Sequence, residues 1–233
     1  MKQSFTFKQF EVRQERCAMK VGTDGVLLGA WARVEHCSHI LDMGTGTGLV
    51  ALMAAQRSHA DIVAIDLDSD AVAQAAENVA SSPWGNRIQV VEADARALCS
   101  SQLFDAILCN PPFFENSLKC PDSARTMARH TDTLSFDELA RSASSLLAPN
   151  GELSVVIPYD RAHDMTVSAA CNGLFATRQT IIVPVQGGKP KRILMAFTRE
   201  GSSHTTEMLC IQDAERQYTP EYVSLVENFY LKM

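Results

Sequence analysis

No stretch of this 233-residue sequence stays apolar for long enough to cross a bilayer as a helix, so no membrane-spanning helix is expected. No secretory leader is expected either, since Glu11 and Glu15 interrupt the basic residues near the start and no apolar run follows them. The seven cysteines (Cys17, Cys37, Cys99, Cys109, Cys120, Cys171 and Cys210) are odd in number, scattered, and nowhere spaced as C-x-x-C. That pattern excludes a disulfide scaffold and a zinc cluster and fits reduced thiols, so a cytoplasmic protein is expected. Glu35-His36-Cys37-Ser38-His39 invites a metal but lacks further spaced ligands. It reads as a loop entering a strand, and no metal is expected. Basic charge is also in short supply, 21 Lys and Arg against 27 Asp and Glu, a net charge of -6. Such a balance excludes a strongly basic nucleic-acid coat and a polybasic membrane anchor while leaving room for a local patch. Repeats and low-complexity tracts are absent. What remains is 46% hydrophobic, enough to bury one α/β domain over residues 1–233, with an N-terminal segment at 1–34 and the core at 35–233.

Against those absences one stretch stands out. Phe104-Asp105-Ala106-Ile107-Leu108-Cys109-Asn110-Pro111-Pro112-Phe113 is an apolar run that halts at an Asn, two prolines and an aromatic. The run reads as a buried strand, and the prolines end it because neither can donate to a sheet ladder. Each proline fixes its own φ and pushes the residue before it toward extended geometry. Asn110 and Pro111 are therefore expected at the strand's carboxyl end, where open α/β sheets bind ligands. There the Asn110 side-chain oxygen and the Pro111 carbonyl make two acceptors on a stiff corner, beside the flat face of Phe113. Together they suit a planar group bearing an exocyclic NH2. A proline-rich turn with an incidental Asn would carry the same letters, so the reading depends on what precedes it.

What precedes it is a nucleotide-binding unit. His39-Ile40-Leu41-Asp42 predicts a strand, Met43-Gly44-Thr45-Gly46-Thr47-Gly48 a glycine turn, and Leu49 to Gln56 a helix. Glycines let a backbone approach a ligand closely, and the helix start offers unpaired amides. A second strand, Asp61 to Asp66, ends in an acid 22 residues after Gly44, a suitable distance for the two hydroxyls of a ribose. The loop is G-x-G-x-G with Asp42 two residues ahead of it, which suits a sulfonium nucleoside better than the pyrophosphate of a dinucleotide.

The remaining segments frame this unit. Residues 1 to 19 mix Phe5, Phe7 and Phe10 with Lys2, Lys8, Arg13 and Arg16, predicting a short strand or hairpin that packs on the domain or touches nucleic acid. Lys20 to Gly25 is a glycine-punctuated loop before a helix at Val26 to Trp31, with Asp24 as a candidate cap. Helix Ser69 to Ala80 carries the stripe Ala71, Val72, Ala75, Ala76 and Val79, which is core. Strand Ile88 to Glu92 leads to Asp94, either an acceptor for an adenine amino group or the cap of a helix starting near Ala95. A long polar segment from Glu115 to Thr133 holds Lys119, Arg125, Arg129 and His130. Ser135-x-x-Glu138 predicts a capping box for a helix to Leu147, and Glu152 to Ile157 a further strand. Two β-rich runs, Arg178 to Pro184 and Arg192 to Thr198, predict an antiparallel hairpin with a basic tip at Lys189, Lys191 and Arg192, and Pro220 to Leu231 predicts a final helix.

In this order Asp42-Met43-Gly44-Thr45-Gly46-Thr47-Gly48, Asp66, Asp94 and Asn110-Pro111-Pro112-Phe113 resemble class I S-adenosylmethionine-dependent methyltransferases, and the Asn-Pro-Pro-aromatic corner resembles their amino-methylating branch. Phe5-Thr6-Phe7-Lys8-Gln9-Phe10, Arg16 to Gly25, Ser82-Pro83-Trp84 and Phe229-Tyr230-Leu231 are similar to the bacterial tRNA1(Val) adenine-N6 methyltransferases, over nearly the whole chain. The likeness departs at Phe113, where many members carry Tyr, and from Glu115 to His130. It implies a Rossmann-like α/β fold, a mostly parallel seven-stranded sheet with a C-terminal antiparallel hairpin and helices on both faces. It implies S-adenosylmethionine as cofactor, S-adenosylhomocysteine as product, no metal, a tRNA substrate, no membrane and no obligate protein partner. By position, Asp42, Gly44, Gly46 and Gly48 are implied around the methionine part of the cofactor, Asp66 at its ribose and Asp94 at its adenine. Lys20, Gly22, Thr23 and Asp24 are implied to close over it, with Asn110 bordering it. Asn110, Pro111, Pro112 and Phe113 form the implied catalytic set, and Arg125, Arg129, Lys189, Lys191 and Arg192 are the candidates for RNA contact. The implied reaction is N6-methylation of adenine 37 beside the anticodon. Methylation of a ribosomal guanine N2 or of a protein glutamine, or a module that binds without turnover, are the alternatives.

Overall fold

A computed structural model of the chain describes residues 4–17, 19–111, 134–201 and 204–232. Lys2, Pro112, Phe113, Lys119, Arg125, Arg129 and His130 lie outside the described residues. An N-terminal hairpin, β1 (Ser4–Thr6) and β2 (Glu11–Arg13), precedes α1 (Thr23–Trp31). Strand and helix then alternate through β3 (His39–Met43), α2 (Leu49–Arg57), β4 (Asp61–Asp66), α3 (Ser69–Ala80) and β5 (Ile88–Glu92), and β6 (Phe104–Cys109) follows without a helix between. After residue 133 come α4 (Phe136–Leu146), β7 (Leu147–Pro158), a 3-10 turn (Tyr159–Arg161) and α5 (Ala162–Cys171). Strands β8 (Phe175–Val185), β9 (Arg192–Thr198) and β10 (Thr205–Gln212) and helix α6 (Pro220–Val226) complete the order.

The sheet has eight strands in the order β10-β8-β9-β7-β6-β3-β4-β5, parallel from β7 to β5, with β9 antiparallel to both neighbours. Seven of these are the expected sheet and its hairpin. The eighth, β10, corrects the expected number: it adds to the free edge of β8 in parallel. Its apolar run, Met208 to Ile211, is only four residues long and follows the polar Thr205-Thr206-Glu207, a pattern too short to separate a strand from a helix segment. Burial follows the two-residue period of a strand. Ile40, Ala106, Leu108, Val156 and Leu194 face the core under α1, α2 and α6, while Leu41, Met43, Ile107, Cys109, Val155 and Ile157 face the core under α4 and α5. Strands covered on both faces have no polar side, hence the unbroken apolar runs. No helix among the described residues is long and apolar enough to cross a membrane.

Several boundaries moved. Helix α1 starts at Thr23 with Gly22 at its N-cap, so Asp24 lies in the first turn and is not the cap. Only a turn follows Asp94 where a helix near Ala95 was expected. Strand β7 begins at Leu147, five residues before Glu152, with a register shift opposite Phe104 and Ala106. Helix α6 stops at Val226, because the chain beyond it turns back to the N-terminal hairpin. The Ser135–Glu138 capping box forms as predicted.

The N-terminal arm packs rather than projecting its aromatics. Phe7 stacks on Phe10 with ring centroids 4.7 Å apart and on Tyr230 at 5.8 Å, and Phe10 meets the edge of Trp84 at 5.8 Å. Three stretches far apart in sequence thus close on one aromatic cluster. Lys8 amide nitrogen donates to the Phe229 carbonyl, and Lys8 Nζ to that of Glu227 at 2.6 Å.

Candidate active site

At the carboxyl ends of β3, β4, β5, β6 and β7 lies a cleft of about 1580 Å³. Its floor is the turn after β3. Gly44 and Thr45 both donate their amides to the Ile65 carbonyl at 2.9 Å, which pins the turn to the next strand. Gly44 and Gly46 have φ of 72° and 53°, and a Cβ on either would meet nothing within 4 Å. Both line the cleft, so side chains there would intrude on the space a ligand needs. Gly48 does a different job at the start of α2, where a Cβ would lie 3.4 Å from that of Ala75 on α3.

Asp42 stands behind this turn and does not line the cleft. Its Oδ2 accepts from Thr45 Oγ1 at 2.6 Å and from the Ala51 amide at 3.1 Å, so it ties the loop to α2. Burial pushes its carboxyl up to about 7, against the pull of those two donors. Asp66 does line the cleft. Its Oδ2 accepts from the Gly46 amide at 2.8 Å and its Oδ1 from the Asp68 amide at 3.0 Å, leaving a lone pair on each oxygen. Asp94 also lines the cleft, but Arg96 holds it: Nε sits at 2.9 and 3.0 Å from the two oxygens and Nη2 at 2.8 Å, which keeps the carboxyl below its usual range. The pair is solvent-exposed in good part, so exchanging Arg96 for another donor costs little.

The wall opposite the glycine turn is a strap formed by residues 13–24. Helix α3, whose stripe was read only as core, grips it through two buried polar side chains. Asn78 accepts from the Arg13 amide at 2.9 Å and donates at 2.8 Å to the carbonyls of Arg13 and Thr47, joining strap to glycine turn. Gln74 Oε1 accepts from the amides of Glu15 and Arg16 at 3.1 and 3.3 Å. Cys17, Met19, Lys20, Gly22, Thr23 and Asp24 then line the cleft. Lys20 Nζ donates to the Gln14 carbonyl, and the Val21 amide to Gln14 Oε1 at 2.8 Å. Cys17 is pushed up to about 11, by burial first and then by Asp66 and Asp68, so its thiol stays protonated at neutral pH and is no nucleophile.

Asn110 and buried Pro111 border the cleft at the end of β6. Asn110 Oδ1 is buried and has no hydrogen-bond partner among the described residues, while Nδ2 donates to the Met19 thioether at 3.6 Å. An unpaired buried acceptor is costly in a folded protein and marks a place where a ligand donor fits. Pro112 and Phe113 fall outside the described residues, as do Arg125 and Arg129. Of the hairpin tip, Lys191 and Arg192 line the cleft and Lys189 does not. Arg192 Nε reaches Asp24 at 2.7 Å, so a residue expected at RNA and one expected at the cofactor hold each other. The far wall, Tyr159 to Asp164, escaped the sequence reading. Its signal was Pro158, which ends β7 beside β6 as Pro111 follows β6. Among the described residues no three His, Cys, Asp or Glu side chains gather as a metal site.

Comparison with known proteins agrees with this geometry. The family model of the methyltransferase small domain matches residues 21–181. A tRNA1(Val) (adenine(37)-N6)-methyltransferase of Bacteroides fragilis is 50% identical over 232 residues, 98% of each chain. The chain belongs to that family. A member from Haemophilus influenzae is 45% identical over 232 residues, again 98% of each chain. Among solved structures, one described as a "predicted O-methyltransferase" from Agrobacterium tumefaciens superposes with a TM-score of 0.68 at 20% identity, covering 88% of this chain and 96% of that one. This distant likeness speaks for the fold, a Rossmann-like class I methyltransferase sheet. The protein is accordingly an S-adenosylmethionine-dependent methyltransferase.

Proposed function

We propose that the protein transfers a methyl group from S-adenosylmethionine to N6 of adenine 37 in tRNA1(Val). The observation that carries this reading is the unpartnered, buried Oδ1 of Asn110 at the edge of a cleft floored by side-chain-free glycines. Bound there, the cofactor supplies a methyl group on a sulfonium, already activated for transfer.

The chain's own residues do the rest by placement. Gly44 and Gly46 admit the methionine part, the free lone pairs of Asp66 take the ribose hydroxyls, and Asp94 takes an adenine hydrogen in exchange for Arg96. Lys20 to Asp24 cover the ligand. An adenine N6 is a weak nucleophile because its lone pair is delocalised into the ring. If Asn110 Oδ1 and the Pro111 carbonyl each accept one N6 hydrogen, the nitrogen is drawn toward tetrahedral geometry and its lone pair becomes available. The base leaves its stack to reach this corner, and Phe113 is proposed to receive its face. Alignment then supplies most of the rate, with no general base needed, and the surplus proton on nitrogen departs to water.

Methyl transfer from labelled cofactor to total tRNA lacking the mark, followed by nucleoside analysis, tests the proposal. The expected result is N6-methyladenosine at position 37 of tRNA1(Val) alone. Label in guanosine, or in protein, overturns it.

A further inference from the structure

We propose that Met19 is a positioning residue for the reaction, fixing which end of the Asn110 amide meets the substrate. The inference rests on the role given above to Asn110. A primary amide has an oxygen and a nitrogen of nearly equal size, and either can turn toward a ligand. Only the oxygen can accept an N6 hydrogen; the reversed amide presents a donor to a donor and leaves the N6 lone pair of a bound base unaligned. Some neighbour must choose between the two. Among the described residues the one side chain hydrogen-bonded to Asn110 is Met19, whose Sδ lies 3.6 Å from Nδ2. A thioether accepts and never donates, so it is satisfied by NH2 alone and repels the oxygen. Gly25, on the same amide, offers no side chain to compete, since even a Cβ there would stop 3.9 Å from Nδ2.

The placement of Met19 is otherwise hard to explain. It is 47% exposed, so burial of its side chain does little for the core. Yet hydrogen bonds hold the chain at residues 13, 15 and 16 and again at 20 and 21. Before it, Gln74 and Asn78 of α3 bind residues 13, 15 and 16; after it, Gln14 binds Lys20 and Val21. Asn78 carries the chain of contacts on to Thr47 of the glycine turn. The cofactor floor, the strap and the acceptor amide are thus one connected set, with Met19 as its contact to the catalytic corner.

The test compares Met19→Leu, Met19→Glu and Asn110→Ala with the parent. Leu keeps the volume and removes the acceptor; an ionised Glu, like the thioether, accepts without donating. A sulfur-accepted hydrogen bond of modest strength predicts that M19L loses about three- to tenfold in kcat, with KM for tRNA and Kd for the cofactor within about twofold of the parent. M19E, read at saturating cofactor, should recover most of that loss. Were Met19 merely part of the wall, M19L would keep its kcat, or would weaken cofactor binding alone, and either result overturns the proposal. M19E as slow as M19L at saturating cofactor overturns it as well. N110A separates the two readings: inactive N110A beside an unaffected M19L removes only Met19 from the mechanism, whereas N110A near parent turnover removes the role of Asn110 and this inference with it.

Discussion

The two sides of the cleft are built by opposite means. On the glycine side, backbone amides, a buried carboxylate and two buried amide side chains lock residues 42–48 to α2, α3 and the strap. On the hairpin side, charges meet near solvent: Arg161 pairs with Asp164 at 2.8 Å with both side chains about half exposed, and Arg192 pairs with Asp24 at 2.7 Å. Buried networks hold one geometry because leaving any member unpaired is expensive. Exposed ion pairs trade partners at little cost. The first arrangement suits a small ligand of fixed shape, the second a large and flexible polyanion.

Asn110 sits where the two sides meet, and it should show the largest effect. N110A is expected to lose about a hundredfold or more in methyl transfer, on the scale of removing one preorganised polar group from a reacting centre. Calorimetric titration should find its cofactor affinity close to that of the parent. A comparable loss of cofactor affinity would assign Asn110 to the glycine side instead.

On the rigid side, D66A removes a carboxylate that serves the Gly46 amide as well as the proposed ribose. Cofactor affinity is expected to fall about ten- to a hundredfold, as for lost hydrogen bonds to a charged group, with the fold retained by circular dichroism. Unchanged affinity would make Asp66 a loop brace only. On the adaptable side, K189A/K191A leaves the Asp24–Arg192 pair intact. If both lysines meet phosphates, the slope of log affinity against log salt should flatten by up to about 1.4, and tRNA binding at low salt should weaken. Superimposable salt series would take the hairpin tip off the RNA surface.

The smallest expected effect sharpens the comparison through pH. The folded value of about 7 for Asp42 lies above the ordinary carboxylate range, so the native state holds its proton longer than the unfolded chain does. That contribution to stability is complete below about pH 4 and is lost as pH rises through 7. D42N keeps an acceptor for Thr45 and Ala51 but cannot ionise. Its melting temperature relative to the parent should therefore rise between pH 5 and pH 8, by about 5 °C. A difference independent of pH would show that Asp42 is charged throughout.

The fold was legible wherever burial alone decides an element. Helix α3 begins and ends where its apolar stripe does, and the strands β3, β4 and β6 follow their apolar runs. β10 was not legible, because its apolar stretch is four residues long and, at the sheet edge, Leu209 is its one buried residue. At the candidate site, Gly44, Gly46, Asp66 and Asn110, singled out by type and spacing, all line the cleft. Asp42 and Gly48 belong to the same motif yet support it from behind, and nothing in a linear pattern separates the residue that faces a ligand from the one that braces it. Gln74 and Asn78 were hidden for a related reason: on a helical stripe they read as interruptions of the core, whereas their partners lie some 60 residues away. Met19 gave no signal because its partner is reached only once the strap has crossed the cleft.

The closure of the arm on the far end of the chain imposes an order on synthesis. Lys8 meets Glu227 across 219 residues, and Phe7 pairs with Tyr230. The arm leaves the ribosome ahead of the sheet, and the β3-to-β6 half can condense while translation continues. The aromatic cluster cannot form until Phe229 and Tyr230 are free. The hairpin that anchors the strap is therefore made more than two hundred residues before its last partners, and the synthesis of Phe229 and Tyr230 is the step that lets the cleft acquire its finished wall.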